Sequence, residues 1–302
     1  LNIDKLTYAG KEKNLNKVLF LVISKSGYTI ETLLNFFSLH SIKRNSKNII
    51  IISEKNNNPL YLLSKQMNFK HIEHKSYIGG RYSIFSEVGM VPAYLMGLNI
   101  KRLRKSLLDP LNYKNKNFLR ESSLILSDLL KVKKFTNLIF FNYEPKLDKF
   151  LNWNQQLIAE SLGKNGKGFL PFISKAPRDH HSLLQLYLDG PRDKVFYIFS
   201  SKVNNRQSKI RIKKLDKKIQ FLKNTSFDKI KNAQKEAFIK ILIKNKIPFR
   251  EFKIGDLEEN YIGELFSYFM LETVITAKLS SINPYNQPAV EQVKIITKKL
   301  LT

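Results

Sequence analysis

The residues best suited to chemistry begin with hydroxyl side chains clustered at positions 24–29. Ser24, Ser26 and Thr29 surround Gly27, directly after an apolar run and directly before a segment of helical period. A strand that passes through such a turn into a helix presents free backbone N–H groups and the positive end of the helix dipole to an anion. The pattern fits equally well a turn in which Thr29 or Ser26 only caps the helix.

A second candidate is the carboxylate of Glu160, near the end of a predicted helix. It continues the helix face that carries Phe150, Trp153 and Leu157, and a glycine-rich turn follows it. A carboxylate directed towards an apolar cleft has its pKa raised by desolvation, which suits a general base working near neutral pH. The alternative is a Glu at the end of a helix, in solvent or paired with Lys164.

Two adjacent histidines, His180 and His181, could transfer protons, because the unperturbed pKa of imidazole is near 6.5. The side chains of neighbouring residues point apart and the chain has no Cys, so this pair is a poor metal site. His71 and His74 have a ligand-like spacing, but no matching carboxylate motif accompanies them, and we interpret them as surface or core residues. The sequence predicts no metal site.

Two cationic side chains complete the candidates. Arg81 follows two glycines, where its guanidinium could hold a phosphate or a developing oxyanion, or form a salt bridge at a turn. Gln287, Glu291 and Lys294 share one stripe of the last predicted helix. A Lys that borders an apolar stripe can point into a cleft.

Apolar runs that alternate with segments of helical period predict the scaffold for these residues. This alternation favours an α/β fold with open parallel sheets. The predicted strands lie at 18–23, 48–53, 69–72, 137–141, 195–199 and 248–254, and the two closing helices at 262–278 and 289–301. The first strand is expected to be covered on both faces.

Composition limits the possible partners. The 302 residues leave room for two domains, and 52 Lys+Arg against 25 Asp+Glu give a net charge of +27. Because the Lys residues are spread along the chain, we expect this charge to favour an anionic metabolite rather than nucleic acid. The richest basic stretch, 202–223, is interpreted as a solvated surface segment.

The absence of Cys from the sequence excludes disulfides and thiol catalysis. No apolar run is long enough to cross a bilayer and no signal-peptide pattern is present, so the sequence predicts a cytoplasmic protein without a membrane partner.

Five motifs together resemble the bacterial glucose-6-phosphate isomerases. They occur in the family's order and extend from near residue 20 almost to the last residue. The motifs are ISKSGYTIET at 23–32, GGRYSIFSEVGMVPAYLMGLNI at 79–100, AESLGKNGKG at 159–168, APRDHHSLLQLYLDGP at 176–191 and IGELFSYFMLETVITAKLSSINPYNQPAVEQVK at 262–294.

The resemblance implies two sugar isomerase (SIS) domains, each a parallel sheet flanked by helices in an α/β/α sandwich, with C-terminal helices packed on both. We expect residues 1–112 to be the remainder of the first domain and residues 113–302 the second. The glycine-rich GxGGS turn that the family places on its first strand is not in this sequence. The first domain is therefore expected to be incomplete, and a truncated chain would lack part of the substrate site.

The activity implied by the resemblance is the interconversion of glucose 6-phosphate and fructose 6-phosphate in glycolysis and gluconeogenesis, without metal or cofactor. In the family, a base moves a proton between C2 and C1 of the open-chain sugar through a cis-enediolate. By resemblance, Glu160 is that base, Arg81 stabilises the enediolate, and His181 of a neighbouring subunit takes part in opening the sugar ring, which implies a homodimer. Lys294 lies near the ring oxygen, Gln287 contacts the substrate, and the phosphate is held by Ser24, Lys25 through its backbone, Ser26 and Thr29.

Two other functions share this scaffold. A SIS-domain protein that senses sugar phosphates would keep the phosphate turn but could dispense with the catalytic residues, and a dual isomerase would also act on mannose 6-phosphate. Two positions depart from the family pattern: Tyr28 stands where Thr is common, and His180 where Gln usually precedes the ring-opening His.

Overall fold

The computed structural model describes residues 17–38, 43–113, 115–201, 216–255 and 257–301. These residues form two compact units, which divide between Lys101 and Arg102. The predicted domain boundary at residue 112 concerns the SIS domains of the family and stays a prediction.

The first unit contains a parallel sheet of three strands in the order β1-β2-β3. The strands are β1 (Phe20–Ile23), β2 (Ile49–Glu54) and β3 (Lys70–His74), and the helices are α1 (Ile30–Phe37), α2 (Pro59–Met67) and α3 (Glu87–Leu95), followed by α4 (Ile100–Lys105), which crosses the boundary. Apolar side chains from the sheet and from α1 and α2 form the core: Val22, Phe36, Ile49, Ile51, Leu60 and Phe69.

Strand β1 differs from its prediction as a strand covered on both faces. Only Val22 among its four residues is buried, although each residue pairs in register with β2, from Phe20 with Ile49 to Ile23 with Ile52. The reason is its place in the sheet, since β1 is an edge strand among the residues that the structure describes.

The second unit contains a parallel sheet of four strands in the order β5-β4-β6-β7. The strands are β4 (Asn137–Asn142), β5 (Leu170–Lys175), β6 (Lys194–Ser201) and β7 (Phe249–Ile254). The helices are α5 (Lys116–Val132), α6 (Asp148–Leu162), α7 (Arg178–Ser182), α8 (Leu184–Asp189), α9 (Phe227–Lys244), α10 (Glu259–Leu279) and α11 (Pro288–Leu300). Buried aromatic and aliphatic side chains of β4, β6 and α9 form the core on one face of the sheet.

The expected α/β class with two parallel sheets flanked by helices is confirmed. Strand β5 and the short helices α7 and α8 were not predicted. Helix α10 packs against α5 and α6, whereas none of the residues of α11 is buried. The expectation that both closing helices pack on both domains stays a prediction, and residues 202–215 of the basic stretch lie outside the described residues.

Candidate active site

The hydroxyl turn lies between the end of β1 and the start of α1. Ser24 is buried, and its Oγ lies 2.8 Å from the Oγ1 of Thr29. Thr29 is the N-cap residue of α1, but its side chain makes no capping hydrogen bond. The Oγ of Ser26 accepts from the backbone N–H of Tyr28, which precedes the helix. The first turn of α1 therefore receives no capping bond from Thr29, and its N–H groups remain suited to an anion.

Gly27 gives the turn its shape. Its φ of +69° is accessible to glycine at little cost, and a Cβ at this position would lie 1.8 Å from the Oδ1 of Asn58. Asn58 is the buried N-cap residue of α2: its Oδ1 accepts from the N–H of Tyr61, and its Nδ2 donates to the carbonyl of Glu54. The loop after β2 therefore supports the loop after β1, a role of Asn58 that sequence patterns did not reveal.

Lys25 and Tyr28 bind the hydroxyl turn to the same neighbouring loop. The carbonyl of Lys25 accepts from the N–H of Glu54 at 2.9 Å, and its Nζ lies 3.7 Å from the Oε1 of Glu54. The hydroxyl of Tyr28 donates to the carbonyl of Asn57. The backbone of the turn is thus held from two sides before any ligand binds.

Arg81 lies in a 3₁₀ helix, Gly80–Phe85, between β3 and α3. The residue is buried, and its guanidinium carbon lies 5.4 Å from the centre of the Tyr82 ring. Parallel strands place their carboxyl ends at one edge of a sheet, so the hydroxyl turn after β1 and the Arg81 segment after β3 both follow this edge. Within the first unit, the structure brings these predicted residues to the carboxyl edge, where α/β proteins bind ligands.

Glu160 lies in the last turn of α6 and is half-buried. Its Oε1 accepts a hydrogen bond from the Nε2 of Gln156, one helical turn earlier, at 3.0 Å. On the same helix, two turns before Glu160, Trp153 packs edge-on against Phe266 with ring centres 4.6 Å apart. The prediction that the carboxylate faces an apolar cleft stays a prediction.

The glycine-rich turn after Glu160 is a two-residue hairpin. Asn165 and Gly166 both have positive φ, and Lys164 and Lys167 exchange two backbone hydrogen bonds, as in a type I′ turn. Both lysines reach the segment after α10: the Nζ of Lys164 donates to the carbonyl of Asn283, and the Nζ of Lys167 to that of Ser280.

Gln287 and Lys294 belong to the last helix. Gln287 is the N-cap residue of α11, only four positions beyond Asn283, so the start of this helix lies at the same end of the unit as the turn after Glu160. Lys294 forms an exposed ion pair with Glu291 at 2.7 Å. The prediction that Lys294 points into a cleft stays a prediction.

The two adjacent histidines have different environments. His180 is half-buried, its Nε2 lies 2.6 Å from the hydroxyl of Tyr143, and its ring stacks on Phe141. Burial is the main cause that lowers the pKa of His180, and the neighbouring imidazole of His181 adds to it. His181 is exposed. Tyr143, which sequence reasoning missed, thus anchors the first histidine while the second faces outwards.

Asp179 fixes the turn before these histidines. Its buried carboxylate accepts from the side chains of Arg178, Ser174 and Ser182 and from the N–H of Lys175. The ion pair with Arg178 is the main cause that holds the pKa of Asp179 well below its usual range. This carboxylate therefore stabilises the start of α7.

Glu160 and His181 lie at opposite edges of the second sheet. From the middle of α6, the Nε2 of Gln155 donates to the carbonyl of Pro171, at the start of β5, and Glu160 lies more than one helical turn further towards this edge. His181 comes after the other end of β5, where the N–H of Ala176 donates to the carbonyl of Asn142, the last residue of β4. Because a strand rises about 3.3 Å per residue, the six residues of β5 separate the two edges by roughly 17 Å.

The residues that the structure describes contain no group of three or more His, Asp or Glu side chains arranged to hold a metal ion. No helix among them combines the length and the apolar character needed to span a bilayer.

Comparison with solved structures supports the fold. A hypothetical protein from Thermus thermophilus superposes with a TM-score of 0.88 at 22% identity, covering all of this chain and 76% of that one. At this level of identity, the likeness concerns the α/β architecture alone.

Sequence comparison identifies the family. A probable glucose-6-phosphate isomerase from Methanococcus maripaludis is 33% identical over 301 residues, covering 96% of this chain and 67% of the relative. A glucose-6-phosphate isomerase from Methanocaldococcus jannaschii is 30% identical over 299 residues, covering 96% of this chain and 73% of the relative. The family model for phosphoglucose isomerase matches residues 2–170. The chain therefore belongs to the phosphoglucose isomerase family, whose members are isomerase enzymes.

Proposed function

We propose that this chain acts as an aldose–ketose isomerase that interconverts glucose 6-phosphate and fructose 6-phosphate. The observation that carries the proposal is the hydroxyl turn at residues 24–29, where α1 begins without a capping bond from Thr29. In a family whose relatives are named glucose-6-phosphate isomerases, this turn is suited to the phosphate group of such a substrate.

The phosphate is bound by the turn and by the start of α1. The hydroxyls of Ser24, Ser26 and Thr29 donate to phosphate oxygens, together with the backbone N–H of Lys25 and the N–H groups of the first helical turn. Hydrogen bonds to a charged group contribute about 1.5–3 kcal/mol each. This binding energy orients C1 and C2 of the sugar for the chemical step.

Proton transfer uses Glu160 and Arg81. The carboxylate of Glu160 removes the proton from C2 of the open-chain aldose, which gives a cis-enediolate, and returns it to C1. The hydroxyl proton on O2 passes to the neighbouring O1, so that the carbonyl moves from C1 to C2. The negative charge on the enediolate oxygen is stabilised by the guanidinium of Arg81. A positioned general base contributes about 10²–10⁴ to the rate.

Ring opening uses His181, which transfers the proton of the O1 hydroxyl to the ring oxygen as the bond between C1 and the ring oxygen breaks. Lys294 lies near that oxygen and Gln287 contacts the sugar. In our proposal the histidine comes from a second copy of the chain. The positions of Glu160 and His181 at opposite edges of one sheet support this, because two groups so far apart cannot both reach one hexose. A symmetric homodimer would complete each site with His181 of the partner subunit.

The decisive experiment measures conversion of fructose 6-phosphate to glucose 6-phosphate in the presence of EDTA. It is made with the 302-residue chain and with the chain expressed together with any coding sequence upstream of Leu1. Turnover by either protein supports the proposal. Binding of fructose 6-phosphate by both proteins without turnover would overturn it in favour of a sugar-phosphate sensor.

The same assay with mannose 6-phosphate separates a dual isomerase from a strict one. Formation of fructose 6-phosphate from mannose 6-phosphate at a comparable rate would extend the substrate range. No such product is expected from a strict glucose-6-phosphate isomerase.

A further inference from the structure

A buried histidine outside the proposed catalytic set connects the first sheet to the segment that carries Arg81. His74 is the last residue of β3, and its side chain has no exposed surface. Its Nδ1 lies 2.5 Å from the Oε1 of Glu87, and its Nε2 lies 3.2 Å from the carbonyl oxygen of Ile78. Both ring nitrogens are therefore engaged, and a side chain with a single polar end cannot replace both contacts.

The two contacts lie on either side of Arg81, one within and one directly after residues 75–86, which we call the Arg81 segment. Ile78 lies just before the glycines that precede Arg81, and Glu87 is the first residue of α3, just after the 3₁₀ helix. His74 itself is held in the sheet, where it pairs in register with Glu54 of β2. One imidazole thus fixes the chain on both sides of Arg81 to the end of β3.

Three hydrogen bonds within the segment are local. The N–H of Ile78 donates to the carbonyl of Lys75, the N–H of Tyr82 to that of Gly79, and the Oγ of Ser83 to that of Gly80. Each of these bonds spans three residues, so they shape the segment without joining it to the sheet. His74 supplies a connection that these bonds do not.

We propose that His74 and Glu87 form a clamp that holds the Arg81 segment against the end of β3. This makes His74 a positioning residue for the proposed isomerase. The statement about catalysis rests on the proposed function, whereas the clamp itself can be tested without activity.

The first test measures hydrogen exchange of the backbone amides at 75–86 by mass spectrometry. We expect His74→Asn to accelerate exchange in this segment at least tenfold and Glu87→Gln to accelerate it less. The matched control is His71→Asn, since His71 lies on the same strand but contacts the Oγ of Ser53 and the ring of Tyr61. Unchanged exchange at 75–86 in both clamp variants would overturn the proposal.

Exchange in strand β2, which belongs to the same unit as the clamp, separates local release from unfolding. Most of its residues are buried, so its amides should keep their protection in the clamp variants. If β2 loses protection in His74→Asn, the milder Glu87→Gln decides, since it keeps a polar side chain of the same shape. Loss of protection in both β2 and residues 75–86 in Glu87→Gln would contradict a clamp.

The second test is a double-mutant cycle with Arg81. We expect His74→Asn to lower kcat at least tenfold with less than a twofold change in KM, and to cause no further loss in an Arg81→Ala background. If the double variant instead loses kcat by the product of the two single-variant factors, His74 does not act through Arg81. If the wild-type chain lacks turnover, the proposed function fails, and the exchange measurements still decide the clamp.

Discussion

The carboxylate of Glu160 is oriented before any substrate binds. Gln156 donates to its Oε1 from one helical turn earlier, so the two oxygens are not equivalent. In the proposed reaction, a base that transfers a proton between neighbouring carbons needs one oxygen directed at both. The contact with Gln156 comes from i, i+4 spacing on a single helix.

Replacing the carboxylate tests its role directly. We expect Glu160→Gln to lower kcat at least a thousandfold, because an amide cannot accept the C2 proton, while fructose 6-phosphate still binds within about threefold of wild type. Steady-state kinetics and calorimetry measure the two effects. Glu121→Gln, an exposed position on α5, is the control. Loss of binding together with activity would indicate a structural Glu.

Removing two hydroxyls tests the phosphate turn. We expect Ser26→Ala combined with Thr29→Ala to raise KM at least tenfold with a smaller change in kcat, because bonds to a charged group are lost in both ground state and transition state. The control is Ser38→Ala, whose hydroxyl lies at the other end of α1 and bonds only within that helix turn. An unchanged KM would leave the turn without a phosphate role.

At the scale of secondary-structure elements, neighbouring loops support one another. The loop after β2 carries Asn58, whose side chain fills the space that a Cβ on Gly27 would need. The loop after β1 therefore has its conformation fixed by packing as well as by its own backbone. A site built on loops at the end of a sheet gains precision from such contacts.

Two alanine substitutions separate the contribution of packing from that of backbone conformation. Gly27 and Gly97 have similar positive φ values, +69° and +83°, but only Gly27 has a neighbour within 4 Å of the added Cβ. We expect Gly97→Ala to lower the free energy of unfolding by about 1 kcal/mol. Gly27→Ala should cost a further 1–3 kcal/mol, roughly the cost of overpacking. Urea denaturation of the two variants measures the difference, and equal losses would contradict the packing role of Asn58.

The contact between β4 and α7 predicts a pH dependence of stability. Burial lowers the pKa values of His180 and His71 below the ordinary 6.5. Below pH 6.5 the unfolded chain therefore binds more protons than the folded chain, so the free energy of unfolding falls as the pH decreases from about 7 to 5. We expect His180→Gln to flatten this decrease. Urea denaturation across this range measures it, and an unchanged slope would show that His180 does not contribute.

The elements that the sequence predicted are those whose pattern of apolar residues lies within one short segment. The apolar run at 18–23 and the helical spacing of Ile30, Leu33 and Leu34 suffice for a strand, a turn and a helix. Strand β5 was missed because Pro171 lies within it and its residues alternate between buried and exposed, as at the edge of a sheet.

The arrangement of the candidate site depends on strand β5 and on contacts between elements, which the sequence did not predict. Without β5, nothing in the sequence separates Glu160 from His181, which are only 21 positions apart. The contacts of His74 with Glu87 and of Tyr143 with His180 join residues on different elements. Local periodicity carries no information on such pairs, because they arise from the packing of strands and helices.

At the scale of the whole molecule, charge and assembly act together. A net charge of +27 attracts anionic substrates but also makes two copies of the chain repel each other. Formation of the proposed homodimer must therefore overcome this repulsion, and moderate salt, which screens it, should favour the dimer. The dimer carries two equivalent sites by symmetry.

In the proposed homodimer, the completion of each site by His181 of the partner subunit also has a genetic consequence. Two alleles, Glu160→Gln and His181→Ala, should each encode an inactive enzyme, yet a cell or a refolded mixture that contains both should recover activity. Random pairing of equal amounts makes half of the dimers mixed, and each mixed dimer has one intact site, so about a quarter of the wild-type activity should return. Two residues that served the same chain could not complement each other in this way.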